Sequence, residues 1–159
     1  MKRLAMKRYH YKLATSGILT ILAAATSVLA EEQEISCDAV PWAVRTAFER
    51  AFPKATIKEC SKEIEKGKTA YEISSTEGET RRDVLFYADG RLIVVEEAIP
   101  IESTPDPVQQ AVRKMYPGGE ITLAEKITRD GAVLYEFRVK HRGKQVEIVF
   151  DSSGNEVKP

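Results

Sequence analysis

Histidine, cysteine and the short motifs of common enzymes are scarce or missing in this chain of 159 residues. It has two histidines, His10 and His141, and two cysteines, Cys37 and Cys60, with no histidine close to either cysteine in sequence. It contains no Gly-x-Ser-x-Gly turn, no His-Glu-x-x-His helix and no phosphate-binding loop. We therefore predict that the protein is not an enzyme and that it holds no metal or other cofactor.

Only one long apolar run is present, and it lies near the N-terminus. It reads LATSGILTILAAATSVLA and follows the basic leader MKRLAMKRYHYK. This arrangement, with small residues before Glu31, predicts a signal peptide over residues 1–30. An uncleaved anchor is the alternative, although the run is shorter than the roughly 20 residues that a spanning helix needs. We expect a periplasmic or secreted protein with no membrane attachment after signal cleavage.

Positive charge is not in excess. The whole chain balances 24 Lys and Arg against 24 Asp and Glu, and removal of the five basic leader residues leaves 19 against 24. Domains that bind nucleic acid usually present a strongly basic face. We therefore expect no nucleic-acid partner.

Cys37 and Cys60 are predicted to form a disulfide, because exported proteins fold in compartments that favour disulfides. The bridge would close a loop of roughly two dozen residues and contribute about 3 kcal/mol. One observation opposes it: Cys60 follows Ile57 at an odd spacing, so in a regular strand the two side chains would lie on opposite faces. The alternative is a pair of free thiols in a metal or nucleophile site, which would lack a neighbouring histidine.

A shift of 64 positions superimposes the second half of the chain on the first without a gap. The matches include turn residues as well as apolar residues, which chance rarely produces in one register. We divide the chain into the signal peptide 1–30, a short lead 31–37, and two repeats, 38–101 and 102–159, that together form one domain. The identical pairs are Pro41 and Pro105, Val44 and Val108, Ala47 and Ala111, Pro53 and Pro117, Ile57 and Ile121, Gly67 and Gly131, Tyr71 and Tyr135, Glu72 and Glu136, Phe86 and Phe150, and Gly90 and Gly154.

Each repeat is predicted to contain one helix followed by an antiparallel meander. Apolar residues recur at helical spacing in 40–52 and 108–116, and a proline follows each stretch. Thr104 is the predicted N-cap of the second helix. Alternating strands separated by glycine-containing turns follow, and NEVK is a last short strand. The predicted fold class is α+β, two tandem helix-plus-antiparallel-meander repeats with the helices packed on one face of a sheet of about seven or eight strands.

The second strands of the two repeats, AYEIS and LYEFR, carry matched glutamates. Alternation places Tyr71 and Tyr135 toward the helices and the glutamates on the opposite face. A catalytic carboxylate pair is disfavoured, because equivalent positions predict similar environments whereas an acid and a base need different pKa values. We interpret this face as an open surface for a protein partner, the alternative being an ordinary solvated face. The candidate partner-binding residues are Glu72, Leu85, Tyr87, Glu136, Arg138 and Glu147, with Val149 beside them.

Two further features each allow two interpretations. Trp42, near the start of the first helix, either packs against the neighbouring repeat or is exposed, and its polar counterpart Asp106 favours exposure. The segment DSSGNE faintly resembles a calcium loop, but it lacks the alternating carboxylates and distal glutamate of that motif. We interpret DSSGNE as a hairpin turn and predict no metal ligands.

The repeated pattern is similar to that of a known family. VPWAVRTAFERAFPKATI, YEI and FYADGRLIVVEEAIP recur as TPDPVQQAVRKMYPGGEI, LYEF and FDSSGNEV. Over residues 38–158 the chain resembles the PepSY-like, beta-lactamase-inhibitor-protein-like family of bacterial secreted proteins. The resemblance implies a tandem helix-plus-sheet fold, periplasmic or cell-surface placement, and partner binding by the open sheet face. No loop matches an inhibitor's binding motif, so no inhibitory residue is carried over.

From these observations we predict a secreted, non-enzymatic binding or inhibitory module that holds a protein partner of the cell envelope. The alternative is an envelope sensor domain that responds to a small ligand or a metal.

Overall fold

Eight antiparallel strands form one sheet and follow one another across it in chain order. The structure is a computed structural model that describes residues 32–158, so the signal peptide predicted over 1–30 lies outside the described residues. The α+β fold predicted from the sequence is confirmed. The strands are β1 (Gln33–Ile35), β2 (Thr56–Glu65), β3 (Lys68–Glu77), β4 (Thr80–Tyr87), β5 (Leu92–Ala98), β6 (Glu120–Arg129), β7 (Ala132–His141) and β8 (Lys144–Asp151), and the helices are α1 (Trp42–Ala51) and α2 (Asp106–Met115).

Each helix packs one apolar stripe against the sheet. Val44 and Phe48 in α1 lie one turn apart and are buried, and Val108 and Val112 do the same in α2. The opposite side of α1 is polar apart from Trp42, which is 74% exposed as its polar counterpart suggested. Neither helix, nor any other in residues 32–158, is long and apolar enough to cross a membrane.

The prediction that Thr104 caps α2 is wrong. Thr104 Oγ1 donates to the carbonyl oxygen of Ile101 at 2.7 Å, so it stabilises the 3-10 turn that precedes the helix. The N-cap position is occupied by Pro105, which offers no side-chain hydrogen bond. Proline fixes its own φ near −65°, and the carbonyl oxygen of Pro105 accepts from the backbone N–H groups of Val108 and Gln109 in the first turn.

Two apolar clusters, one in each repeat, join the helices to the sheet. Tyr71 and Tyr135 pack at their margins, on the helix side as predicted. Equivalent positions of the repeats recur in both clusters, so the shift of 64 residues reflects a shared packing plan. The buried members are Val40, Val44, Phe48, Cys60, Ile73, Val84 and Phe86 in the first cluster, and Val108, Val112, Ala124, Phe137, Val139, Ile148 and Phe150 in the second.

The turn that follows β4 contacts α1, and the turn that follows β8 contacts α2. At Gly90 the backbone has a φ of +85°, and a Cβ there would lie 2.7 Å from the carbonyl oxygen of Ala43. At Gly154 the φ is +81° and a Cβ would lie 2.5 Å from the carbonyl oxygen of Pro107. Both the positive φ and the close approach require glycine.

The disulfide between Cys37 and Cys60 is present, with the two Cα atoms 5.2 Å apart. The objection from odd spacing fails because β2 has a bulge between Ile57 and Glu59. A bulge inserts one extra residue and reverses the alternation of the side chains. Ile57 and Cys60 therefore both contact the first apolar cluster.

The second repeat has the same bulge, between Ile121 and Leu123 of β6. The positions of the two cysteines are taken there by Ile101 and Ala124, which belong to the second apolar cluster. An apolar contact thus replaces the disulfide at the equivalent place.

The segment predicted as a short lead, 31–37, contains the edge strand β1. Glu34 is paired with Ser61, and at the positions 64 residues later Ala98 is paired with Glu125. β1 is therefore the counterpart of the end of β5, and each repeat begins with a strand before its helix. The predicted last strand in NEVK is wrong as an element, because only one isolated bridge forms there, between Glu156 and Phe150.

Candidate functional site

The face of the sheet away from the helices is concave. Arg81 Nη2 lies 3.1 Å from Glu125 Oε1, although β5 separates their strands. Arg129 of β6 also donates a hydrogen bond to Glu65 of β2, across three intervening strands. Neighbouring strands are about 4.8 Å apart, so a flat sheet would separate β2 from β6 by roughly 19 Å, beyond the reach of one ion pair. The strands must therefore curve toward this side, which we call the concave face.

The centre of the concave face is apolar. Leu85, Val94 and Ile127 lie on three adjacent strands and are 1%, 3% and 4% exposed. They form a third cluster with Ala70 and Ile93, and this cluster contacts Tyr87 and Leu134. Since side chains from β3 to β7 meet here, this cluster stabilises the curvature of the sheet.

The six residues predicted to bind a partner all lie on the concave face, but their exposure differs. Leu85 is 1% exposed, and Glu72 is 8% exposed. The expectation that Leu85, Glu72 and Val149 form an open surface is therefore wrong, because the sheet curves around them. Tyr87, Glu136, Arg138 and Glu147 are half-buried. Binding of a partner by these six residues stays a prediction.

Tyr87 lies at one end of the concave face between two cations. Lys68 Nζ is 5.7 Å and Arg91 Cζ is 5.1 Å from the centre of its ring. Asp89 accepts from Arg91 Nε at 2.8 Å and keeps that guanidinium beside the ring. These residues line a shallow cleft of about 470 Å³. Tyr87 therefore makes two intramolecular cation–π contacts at this end of the concave face.

At the other end, in the second repeat, carboxylates are concentrated. Glu125 and Glu136 are directly opposite each other on β6 and β7. Glu147 on β8 is opposite Arg138, and its Oε1 atom lies 3.0 Å from Arg138 Nη2. Glu96 on β5 contributes a further negative charge that acts on Glu136.

Burial and this crowding raise the pKa of Glu136 to about 8. Burial is the largest cause, the charges of Glu96, Glu125 and Glu147 add to it, and Arg138 opposes it. Burial also raises the pKa of Glu125, against the attraction of Arg81. Glu136 therefore keeps its proton at neutral pH.

Glu72 and Glu136 do not share an environment, contrary to the expectation from the repeat. Glu72 is opposite Ser61, whereas Glu136 is opposite Glu125, the counterpart of Ser61. One substitution between the repeats thus places two carboxylates side by side in the second repeat only.

Sequence reasoning missed the acidic residues that surround Glu136. Alternation along β4, β5 and β6 was available as a signal, since Asp83, Glu96 and Glu125 are offset by even numbers from Leu85, Val94 and Ile127. Their proximity to Glu136, however, depends on strand register and curvature. Neither is visible in the pattern of one strand.

The concave face does not have the arrangement of a metal centre. Within residues 32–158, no group of three or more His, Cys, Asp or Glu side chains is placed to hold a metal ion. The segment DSSGNE forms a turn, as predicted: Asp151 Oδ1 accepts from the backbone N–H groups of Ser153 and Asn155, at 2.9 and 3.0 Å.

Solved structures with a similar fold come from Bacteroides. A BLIP-like protein from Bacteroides fragilis is 21% identical, with a TM-score of 0.58, over 73% of this chain and 82% of that chain. A chain from Bacteroides eggerthii, described among "putative periplasmic proteins", is 15% identical, with a TM-score of 0.65, over 75% of this chain and 86% of that one. A DUF2874 family protein from Bacteroides ovatus is 14% identical, with a TM-score of 0.63, over 76% and 86%. At these identities the likeness shows the fold alone.

No curated protein matches the chain. A family model does match, in two segments, residues 26–94 and 75–158, and its description is "Putative beta-lactamase-inhibitor-like, PepSY-like". The two segments agree with the repeat seen in the sequence and in the paired cores. The chain therefore belongs to the PepSY-like, beta-lactamase-inhibitor-like family.

Proposed function

We propose that this protein is a non-enzymatic binding or inhibitory module of the bacterial cell envelope, and that it holds a protein partner on the concave face. The observation that carries the proposal is the form of that face. The curved sheet presents Tyr87 at one end and the Arg138–Glu147 pair at the other, around an apolar centre that is buried within the protein itself. Aromatic and arginine side chains carry much of the binding energy in protein interfaces.

The placement in the envelope is supported by three observations. The leader over residues 1–30 has the pattern of a secretory signal. The structural neighbour from Bacteroides eggerthii is described as periplasmic. A disulfide between Cys37 and Cys60 is also typical of an oxidising compartment.

A binding role rather than catalysis is supported by the family description, which names an inhibitor rather than an enzyme. The sequence also contains none of the catalytic motifs named above.

The test is site-specific photo-crosslinking in intact cells. A photoreactive amino acid replaces Tyr87 on the concave face or, as the control, Trp42 on α1, and the captured proteins are identified. We expect one protein to be captured from position 87 and not from position 42, and its capture to fall with Arg138→Ala when the protein remains folded. Equal capture from both positions, or capture that is indifferent to Arg138→Ala, would contradict the proposal.

Crosslinking at position 87, together with melting temperatures of the purified protein, also distinguishes the proposed function from the alternative one. A small-ligand or metal-responsive sensor would show a rise in melting temperature with a metabolite mixture or a divalent cation, and no protein captured from position 87.

A further inference from the structure

We infer that the second-repeat end of the concave face receives a basic, lysine- or arginine-bearing segment of the partner. This inference rests on the proposed function and names the chemistry of the partner. We call the receiving surface the acidic patch, which consists of Asp83, Glu96, Glu125, Glu136 and Glu147.

The register of the strands assembles the acidic patch. Asp83 is directly opposite Glu96 on β4 and β5, and Glu125 is directly opposite Glu136 on β6 and β7. Glu147 completes the patch from β8. Five carboxylates from five strands therefore converge on one end of the curved face.

Two arginines offset this charge in part. Arg81 contacts Glu125, and Arg138 contacts Glu147. The patch therefore contains five carboxyl groups and two arginines, and Glu136 adds its negative charge only when it loses its proton. Local excess charge attracts a segment of opposite sign.

A buried carboxylate in the patch lacks a donor. Asp83 is 7% exposed, and no side chain in residues 32–158 gives it a hydrogen bond or an ion pair. Its charge acts on Glu125, so the carboxylate is directed into the patch. An ammonium or guanidinium group arriving from a partner supplies hydrogen-bond donors to this carboxylate.

A second buried polar atom on the concave face is also without a partner. Ser61 is 5% exposed, and its Oγ atom has no hydrogen-bond partner among the described residues. Ser61 is opposite Glu72, on the same face as the acidic patch.

Apolar side chains border the patch. Ile127 and Leu134 are directly opposite each other on β6 and β7, and Val149 is opposite Glu136. Ile127 and Val149 are buried, so the half-buried Leu134 is the side chain on which the hydrocarbon stem of a lysine or arginine can pack while the charged end reaches a carboxylate.

Binding of a cation is coupled to release of a proton from Glu136. The pKa of this carboxyl is about 8, because of burial and the charges of Glu96, Glu125 and Glu147, with Arg138 opposing and with Asp83 and Arg81 acting through Glu125. At neutral pH the proton occupies the place that a bound cation would take. An arriving ammonium group favours the ionised form, and the proton leaves to solvent.

The test uses the purified chain, with hexalysine as the probe and hexaglutamate as the reference peptide, measured by titration calorimetry. We expect hexalysine to bind and hexaglutamate not to bind. Binding should tighten as the pH rises through the pKa of Glu136, and buffers of different ionisation enthalpy should report release of a proton.

Two variants locate the binding. Glu136→Gln keeps the shape of the protonated carboxyl, so the fold should be kept while proton release and the pH dependence are lost. Glu125→Gln should weaken hexalysine binding about tenfold, the usual effect of one partly buried charge. The matched control is Glu49→Gln, which removes one negative charge from an exposed position on α1.

Failure of this inference differs from failure of the proposed function. If a partner is captured at position 87 but hexalysine does not bind, or if Glu49→Gln weakens binding as much as Glu125→Gln, the acidic patch is not the receiving surface and the concave face remains a binding site. If hexalysine binds as expected while no partner is captured, the acidic patch is a site for basic segments, but the proposed protein partner fails and the assignment of the patch to that partner fails with it.

Discussion

Glu65 and Arg129 occupy equivalent positions in the two repeats, 64 residues apart, and form an ion pair with each other. In a duplicated protein, equivalent residues usually make equivalent contacts within their own repeats. Here one residue of the pair became acidic and its counterpart basic, so the repeats are joined by a contact that a symmetric ancestor could not make. The pair closes the concave face at the end where β2 approaches β6.

Removal of Arg129 should destabilise the protein far more than removal of a surface arginine. The side chains of Arg129 and Glu65 are 19% and 6% exposed, whereas those of Arg91 and Asp89 are 65% and 56% exposed. We expect Arg129→Met to lower the free energy of unfolding by about 2–4 kcal/mol, because it leaves Glu65 buried without that cation. Arg91→Met should cost less than about 1 kcal/mol. Urea denaturation of both variants is the measurement, and similar losses would contradict the assigned role of the buried pair.

Gly90 should be less replaceable than Gly67, although both have positive φ values of +85° and +75°. Alanine at position 67 meets nothing within 4 Å, so it should cost only the backbone strain of about 1–2 kcal/mol. Alanine at position 90 should cost a further 1–3 kcal/mol or so, because its Cβ would press on the carbonyl oxygen of Ala43. The free energies of unfolding of the two variants should therefore be clearly separated. Equal values would mean that the turn moves away from α1 at little cost.

Loss of the disulfide should lower stability by about 3 kcal/mol. The paired change Cys37→Ala and Cys60→Ala removes the link between β2 and the turn that precedes α1. Thermal unfolding of this variant, beside the native protein with and without a reductant, is the check. A reductant should lower the melting temperature of the native protein only, and an equal effect on the variant would show that the reductant acts elsewhere.

A second disulfide should form at the equivalent place in the other repeat. Ile101 and Ala124 stand where Cys37 and Cys60 stand in the first repeat, and the bulge that orients Cys60 recurs in β6. We expect the paired change Ile101→Cys and Ala124→Cys to give a spontaneous bridge, seen as the loss of two free thiols by mass spectrometry after alkylation. Persistent free thiols under oxidising conditions would mean that the backbones of the repeats differ here.

The stability of the protein should fall as the pH rises from about 4.5 to about 8. Glu136 has a folded pKa of about 8, above its unfolded value of 4.5, so the folded state holds the proton more tightly. The contribution of Glu136 to the free energy of unfolding is complete below the unfolded pKa and is lost as the pH rises through the folded pKa. The free energy of unfolding should fall by at most about 1.4 kcal/mol per pH unit. Denaturant titrations across this range should show a smaller slope for Glu136→Gln. An unchanged slope would place the titration on another group.

The architecture could be predicted from the sequence, because strand spacing, turns and the apolar stripes of the helices are local patterns. Each of these patterns occurs twice, once in each repeat. The sequence was insufficient where a long-range contact overrides a local pattern. The bulge at Ile57 and Glu59 reversed the alternation and brought Cys60 toward the core. Thr104 donates to the carbonyl oxygen of Ile101, three residues earlier, and Pro105 takes the N-cap position instead.

The exposure of the candidate site was the least predictable property. Leu85 and Glu72 follow the expected alternation, yet curvature buries them. Curvature is set by contacts such as Arg81 with Glu125, whose partners are 44 residues apart in the chain. The pKa of Glu136 depends in turn on that curvature, so no strand taken alone could have revealed it.

β5 serves both repeats, and this determines how duplication can lengthen the sheet. β5 completes the meander of the first repeat, and its last residues hold the position that β1 holds before α1. A unit of strand, helix and three strands can therefore be inserted in frame with no linker, since each copy supplies the first strand of the next. Duplication would lengthen the sheet by whole units, and each added unit could then change single positions, as Ser61 and Glu125 differ, to acquire its own surface chemistry.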